Sequence, residues 1–130
     1  MSLTTNKKTK HILVVDDVAD NTLFVRVWLE NFGYKVNTAE SGKTALTCLA
    51  TEIIKPDLII LDLMMPEMNG YEVINCLRHR ESFDRIPVLL MTANTTVSYE
   101  SATNAGANEL IYKPLDLEQL LKKVESLEVV

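Results

Sequence analysis

The hydrophobic pattern switches repeatedly between two kinds of run. Short, continuous apolar stretches occupy residues 12–15, most of 57–62 and most of 87–92, while 34–39 and 109–113 are shorter and more mixed. Each has the length of a strand. A strand apolar throughout has no face left for water, so these runs predict strands covered on both sides. Between them the period lengthens to that of a helix. Over residues 20–32, Phe24, Trp28 and Phe32 recur every fourth position with Val25 and Leu29 alongside. That spacing predicts a helix turning this stripe inward, with Gly33 at its C-terminal cap. Ser41-Gly42 opens a second helix to about residue 52, with Ala45, Leu46 and Leu49 on one face. Residues 70–79 carry Val73, Ile74 and Leu77 at helical spacing. Residues 97–105 form a weaker helix, rich in Ser, Thr, Asn and Ala, stopped by Gly106. Asp116 N-caps a last helix bearing Leu117, Leu120, Leu121 and Val124.

The order is therefore βαβαβαβαβα. Alternation of this kind predicts an α/β fold: a doubly wound, five-stranded parallel sheet between two helix layers, a three-layer αβα sandwich. The flavodoxin-like strand order 2-1-3-4-5 is expected. No linker, repeat or low-complexity segment interrupts it. Residues 10–128 are read as one domain and residues 1–9 as a flexible N-terminal tail.

Charge and composition narrow the function. The net charge of −5 argues against direct nucleic-acid binding, because neutralising phosphates needs a basic surface. Lys7, Lys8 and Lys10 are read as a solvated tail. The apolar runs fall far short of the roughly 20 residues of a membrane span, and no signal peptide is visible. A cytoplasmic protein without membrane contact is expected. Cys48 and Cys76 lie in separate helical patterns without CxxC spacing, as small reduced core or boundary residues.

Chemistry gathers at the strand ends. Strand one ends in Asp16-Asp17, strand three in Asp62, strand four in Thr92 and strand five in Lys113. In open parallel sheets ligands bind outside the carboxyl ends of the strands, where strand order reverses, here between strands one and three. Three carboxylates converging there repel one another and call for a cation. An oxygen-rich site with few protein ligands suits Mg²⁺. Acids, a metal, a lysine and a hydroxyl around one carboxylate make a phosphoryl-transfer site with that carboxylate as nucleophile.

Four stretches then resemble the receiver domains of two-component response regulators: Val14-Val15-Asp16-Asp17, Asp62-Leu-Met-Met-Pro-Glu-Met-Asn-Gly70, Met91-Thr92-Ala93 and Lys113-Pro114. They follow the family's order and near spacings, and the resemblance runs from about Lys10 onward. It implies a phosphorylation-dependent signalling switch, with Asp62 as phosphoacceptor. Asp17 is then a direct Mg²⁺ ligand, Asp16 acts mainly through water, and Asp62 and the backbone carbonyl of Met64 complete the protein ligands. Thr92 is the switch hydroxyl, Lys113 contacts Asp62 or its phosphate, and the Lys113–Pro114 bond is cis. Met64 and Asn94 flank the path of the hydrolytic water. The donor is a histidine kinase or phosphotransfer protein, and the surface of helix four, strand five and helix five is read by an unknown downstream protein. A weak homodimer is compatible with this. The implied chemistry is regulatory, with turnover on the protein itself rather than on a separate substrate.

Taken singly each signal is bland. A strand-end Asp is an ordinary helix cap, Lys113 a solvated lysine, Thr92 a β-branched strand residue, Trp28 a core aromatic, and Met64, Met65 and Met68 packing residues. Caps do not require convergence in one crevice, and convergence separates the readings. A haloacid-type phosphatase needs a second acid two residues after the nucleophile, where Met64 stands. A flavin site needs a phosphate loop after strand one, where Asp16 and Asp17 would repel phosphate. A degenerate receiver would lack an acid, the Thr or the Lys. One departure from the family is plain: its switch aromatic usually lies three residues before the lysine, at Leu110 here, and Tyr112 is the candidate in its place. A stand-alone regulator and a receiver cut from a longer protein both remain open.

Overall fold

The computed structural model describes residues 10–51 and 55–128. Its elements follow the alternation: β1 (His11–Val15), α1 (Ala19–Glu30), β2 (Lys35–Ala39), α2 (Gly42–Thr51), β3 (Leu58–Asp62), α3 (Gly70–Arg78), β4 (Val88–Thr92), α4 (Tyr99–Asn104), β5 (Glu109–Tyr112) and α5 (Leu117–Ser126). The five strands form one parallel sheet in the order β2-β1-β3-β4-β5. The last position of the second predicted helix, residue 52, lies outside the described residues.

Every residue of β3 and β4 is buried, as a strand sandwiched on both faces requires. Alternate residues feed two cores. Val15, Ile59, Leu61, Val88, Leu90 and Leu110 pack with Ala45 and Leu49 of α2, Val73, Ile74 and Leu77 of α3, and Ala102 of α4. Ile12, Val14, Ile60, Leu89, Met91 and Ile111 pack with Val25 and Leu29 of α1 and Leu120 and Val124 of α5.

The inward face of α1 departs from the expected stripe. Its buried residues are Thr22, Val25 and Leu29, whereas Phe24 is 58% and Phe32 48% exposed. A four-residue repeat advances roughly 40° beyond a full turn at each step, so Phe24 lies about 130° from the middle of the buried stripe. Trp28 falls between, half-buried, with its Nε1–H donating to the Leu117 carbonyl at 3.1 Å. Phe32 lies beyond the helix and meets Trp28 edge-on, 5.1 Å between centroids.

At the amino pole of the sheet Arg78, the last residue of α3, binds four groups at once. Its guanidinium donates to the carbonyls of Asp84, Ile86 and Gly106 and to Asn108 Oδ1, at 2.8–3.1 Å. Asn108 Oδ1 also accepts from the Val88 N–H at 2.9 Å, so the starts of β4 and β5 are tied to α3 through one cation. Gly106, which follows the Ala105 cap of α4, has φ +108°, a left-handed conformation that glycine adopts without a Cβ penalty.

Candidate functional site

The carboxyl ends of β1, β3, β4 and β5 deliver the expected side chains to one pole. Parallel pairing does this: β1 lies beside β3 and β3 beside β4 in near-level register, so Asp16, Asp62 and Thr92 emerge on neighbouring strands. Asp16, Asp62 and Thr92 are among the few buried polar residues of the chain, while Asp17 is exposed. One carboxylate oxygen from each of Asp16, Asp17 and Asp62 lies within 4.8 Å of the others.

The loop after β3 is folded so that Asp62 stays at the centre. Asn69 caps α3 by accepting from the Glu72 N–H, and Glu72 returns the bond to the Asn69 N–H, a reciprocal capping box. The Gly70 N–H reaches back to the Leu63 carbonyl at 2.8 Å. A Cβ on Gly70 would stand 2.8 Å from the Asp62 carbonyl oxygen and 2.9 Å from Leu63 Cα, so only glycine permits the close return. Met64 projects from this loop with 62% exposure, whereas Met65 is buried and Met68 packs on the core. The Met64 N–H lies on the side of the Asp62 carboxylate and favours its ionised form.

Lys113 is the cation among the acids. Its Nζ donates to Asp16 Oδ2 at 2.8 Å and stands 3.4 Å from Asp62 Oδ1. The Lys113 N–H pairs with the Thr92 carbonyl at 2.8 Å, which places the residue at the strand-end pole, and the Lys113–Pro114 bond is cis. Burial pushes the Asp62 carboxyl up to about 6. The Lys113 ammonium opposes this, Asp16 adds repulsion, and the Met64 N–H lends the anion some support. Burial pulls the Lys113 ammonium down, but its hydrogen bond to Asp16 and the two negative charges outweigh that and hold it above its ordinary value.

The acids are not equivalent. Asp16 Oδ1 accepts from the Val18 N–H at 3.0 Å, and Oδ2 takes bonds from Lys113 and from Asn21 Nδ2 at 3.2 Å. Asp17 has no protein hydrogen bond among the described residues. Three hard oxygens grouped within 4.8 Å, one of them without a protein donor among the described residues, fit a small divalent cation such as Mg²⁺.

Thr92 Oγ1 accepts from the Asn94 N–H at 3.0 Å, and Asn94 Oδ1 accepts from the Thr96 N–H and hydroxyl. Tyr112 pairs in register with Thr92 and donates its phenol to the Val97 carbonyl at 2.6 Å, while Leu110 is buried in the core. The aromatic position expected in the family is thus apolar filling here. His11 opens β1 and His79 ends α3, both at the amino pole. Asn21 was not anticipated from sequence, and its only signal is its place in the first turn of α1, five residues after Asp16. Among the described residues no helix is long and apolar enough to cross a membrane.

The sequence model of the response regulator receiver domain matches residues 12–125. A probable cyclic di-GMP phosphodiesterase of Vibrio cholerae is 39% identical over 116 residues, which span 88% of this chain and 26% of that protein. The response regulator SaeR of Staphylococcus aureus is 35% identical across 90% of this chain and 50% of its own length. The chain therefore spans half or less of these curated relatives. In solved structures, the chemotaxis response regulator CheY4 of Vibrio cholerae superposes with a TM-score of 0.84 at 31% identity, covering 93% of this chain and all of that one. The receiver domain of a histidine kinase from Syntrophus aciditrophicus gives 0.81 at 30% identity, over 92% of this chain and 89% of that one. Sheet order, strand-end acids and these matches agree, and the chain belongs to the response regulator receiver domain family, the phosphoacceptor switches of two-component signalling.

Proposed function

We propose that Asp62 is the phosphoacceptor and that residues 10–128 form the receiver domain. The observation that carries this is the placement of Asp62. Its carboxylate is buried at the centre of the strand-end crevice, within reach of Lys113 and grouped with Asp16 and Asp17. Asp17 and Asp62 would hold Mg²⁺ directly with the backbone carbonyl of Met64, and Asp16 would act through water, its oxygens being engaged by Val18, Asn21 and Lys113. The metal supplies positive charge to the transferring phosphoryl oxygens.

The protein's own groups do the rest. Lys113 offsets charge on the phosphorylated carboxylate. Thr92 turns its hydroxyl toward the phosphoryl group, giving up the Asn94 N–H it now accepts from. Tyr112, bonded to Val97 ahead of α4, passes that change to the face formed by α4, β5 and α5. The donor is a histidine kinase or phosphotransfer protein and the reader of that face a downstream protein, in the cytoplasm. The chemistry is regulatory, and catalysis is limited to the protein's own phosphorylation and dephosphorylation.

The test is incubation with acetyl phosphate and Mg²⁺, followed by intact-protein mass. Wild type gains one phosphoryl group and Asp62→Asn gains none. Labelling of the Asn variant at the wild-type rate would remove Asp62 from the role.

A further inference from the structure

Exposed large apolar side chains concentrate on one helix. Among the described residues, Val18, Leu23, Phe24, Val27 and Phe32 lie on α1 or its flanks and are 48–58% exposed. The helix buries Thr22, Val25 and Leu29 and leaves a second apolar stripe in water. At roughly 100° per residue, Leu23, Phe24 and Val27 share about 100° of the helix surface, opposite the buried stripe. Scattered exposed apolar residues are ordinary, but a contiguous stripe marks a contact surface.

The charges beside the stripe indicate what covers it. Arg26 and Glu30 lie along its Leu23 edge, both exposed, with Arg26 Nε donating to Glu30 Oε2 at 3.2 Å. Among the described residues the guanidinium uses no donor but Nε, which leaves its other N–H groups for a carboxylate from outside. One edge thus carries a cation and an anion four residues apart. A two-fold interface has this requirement, because each copy presents both halves of every contact. With two α1 helices antiparallel and the axis level with residue 28, Arg26 of one copy stands level with Glu30 of the other, on the same flank. The reciprocal pair forms on the far side of the axis. The same axis sets Phe24 level with the second copy's Phe32, which Trp28 braces edge-on at 5.1 Å. Parallel helices would instead oppose Arg26 to Arg26 and Glu30 to Glu30.

We propose that the exposed stripe of α1 is a self-association surface on which a second copy of this chain packs antiparallel, Phe24 against Phe32 and Arg26 against Glu30. A single helix pair is small beside the ~800 Å² per partner of a standard interface, so the dimer is weak, with a Kd on the order of 100 µM.

Sedimentation equilibrium of the full chain tests this. At about 0.15 M salt the Debye length of about 8 Å screens the long-range repulsion between two chains of net charge −5 and leaves pairs in contact. From ~20 µM to ~1 mM the weight-average mass of wild type should rise toward that of a dimer, with concentration-dependent amide shifts concentrated in residues 18–32. Phe24→Asp should weaken association about tenfold or more. Arg26→Glu and Glu30→Arg each oppose like charges, and each should weaken it singly. Their equimolar mixture, and the chain carrying both changes, should regain the wild-type mass. All three positions are exposed, so these variants keep the fold. A wild type that stays monomeric at ~1 mM overturns the proposal and leaves the stripe to a different protein. A dimer that survives Phe24→Asp lies on another face, and one that survives both single charge reversals is not antiparallel in this register; either result overturns the proposal.

Discussion

Lys113 is shared unequally between two acids: its Nζ lies 2.8 Å from Asp16 and 3.4 Å from Asp62. The ammonium therefore holds the crevice together before any phosphoryl group arrives. Removing one member of a buried charge cluster leaves the others uncompensated. Lys113→Met should lower the stability of the metal-free protein by on the order of 2 kcal/mol, recovered in part by Mg²⁺. Urea melts with and without Mg²⁺ check this. Unchanged metal-free stability would mean that the acids do not depend on Lys113.

Asp62 makes metal-free stability depend on pH. Its carboxyl is raised from 3.8 to about 6 in the folded protein, so the folded state binds the proton more tightly than the unfolded chain does. The resulting stabilisation is complete below pH 3.8 and is lost as pH rises to about 6. At pH 7 the ionised carboxylate is a net cost. Asp62→Asn should therefore stabilise the protein in EDTA by on the order of 2 kcal/mol at pH 7 and by little near pH 4. Denaturant midpoints at the two pH values read this directly, and an equal gain at both would contradict it.

Mg²⁺ binding should depend on Asp17 more than on Asp16. Asp16 has both oxygens committed to protein donors, and among the described residues Asp17 has neither committed. By calorimetry Asp17→Ala should lose most of the affinity. Asp16→Asn, which keeps a hydrogen-bonding side chain at the same place, should lose less. Equal binding by wild type and Asp17→Ala would remove it from the ligand set.

Met64 stands two residues past Asp62 with 62% exposure. A thioether cannot orient water by hydrogen bonding, and a side chain of this bulk at that position would shield the carboxylate. Hydrolysis needs a water in line with phosphorus. Met64→Asn is expected to shorten the lifetime of the phosphoprotein several-fold, followed as decay after removal of donor. Decay no faster than wild type counts against shielding.

Tyr112→Phe removes one hydroxyl and with it the 2.6 Å bond to the Val97 carbonyl. Amide exchange over residues 93–112, with and without beryllofluoride, should change on ligand binding in wild type. In the Phe variant the ligand-free pattern should already be shifted toward the bound one. Identical responses in the two proteins would reduce Tyr112 to packing.

The fold was largely legible because β3 and β4 have no polar residue before their ends, leaving only buried, helix-covered strands as a solution. The acidic cluster was legible because a strand's end names its location once the sheet is parallel. The face of α1 was not. A repeat of large aromatics outweighed Thr22, whose hydroxyl satisfies itself on the Ala19 carbonyl at 2.8 Å and so can be buried. Arg78 and Asn21 were not legible because their partners are backbone carbonyls, a loop amide or an acid already assigned elsewhere, and such partners leave no periodic trace.

The Arg78 tie fixes how the molecule can move. It holds Gly106, just past α4, to α3 and to the starts of β4 and β5, whereas the other end of α4 is held by Tyr112 through Val97. On the proposed function, release of the latch at Thr92 and Tyr112 would swing this helix about Gly106, with the largest displacement at Ser98. A partner that gripped α4 near Asn104 would be nearly blind to phosphorylation, and one that gripped it near Tyr99 would read the full stroke.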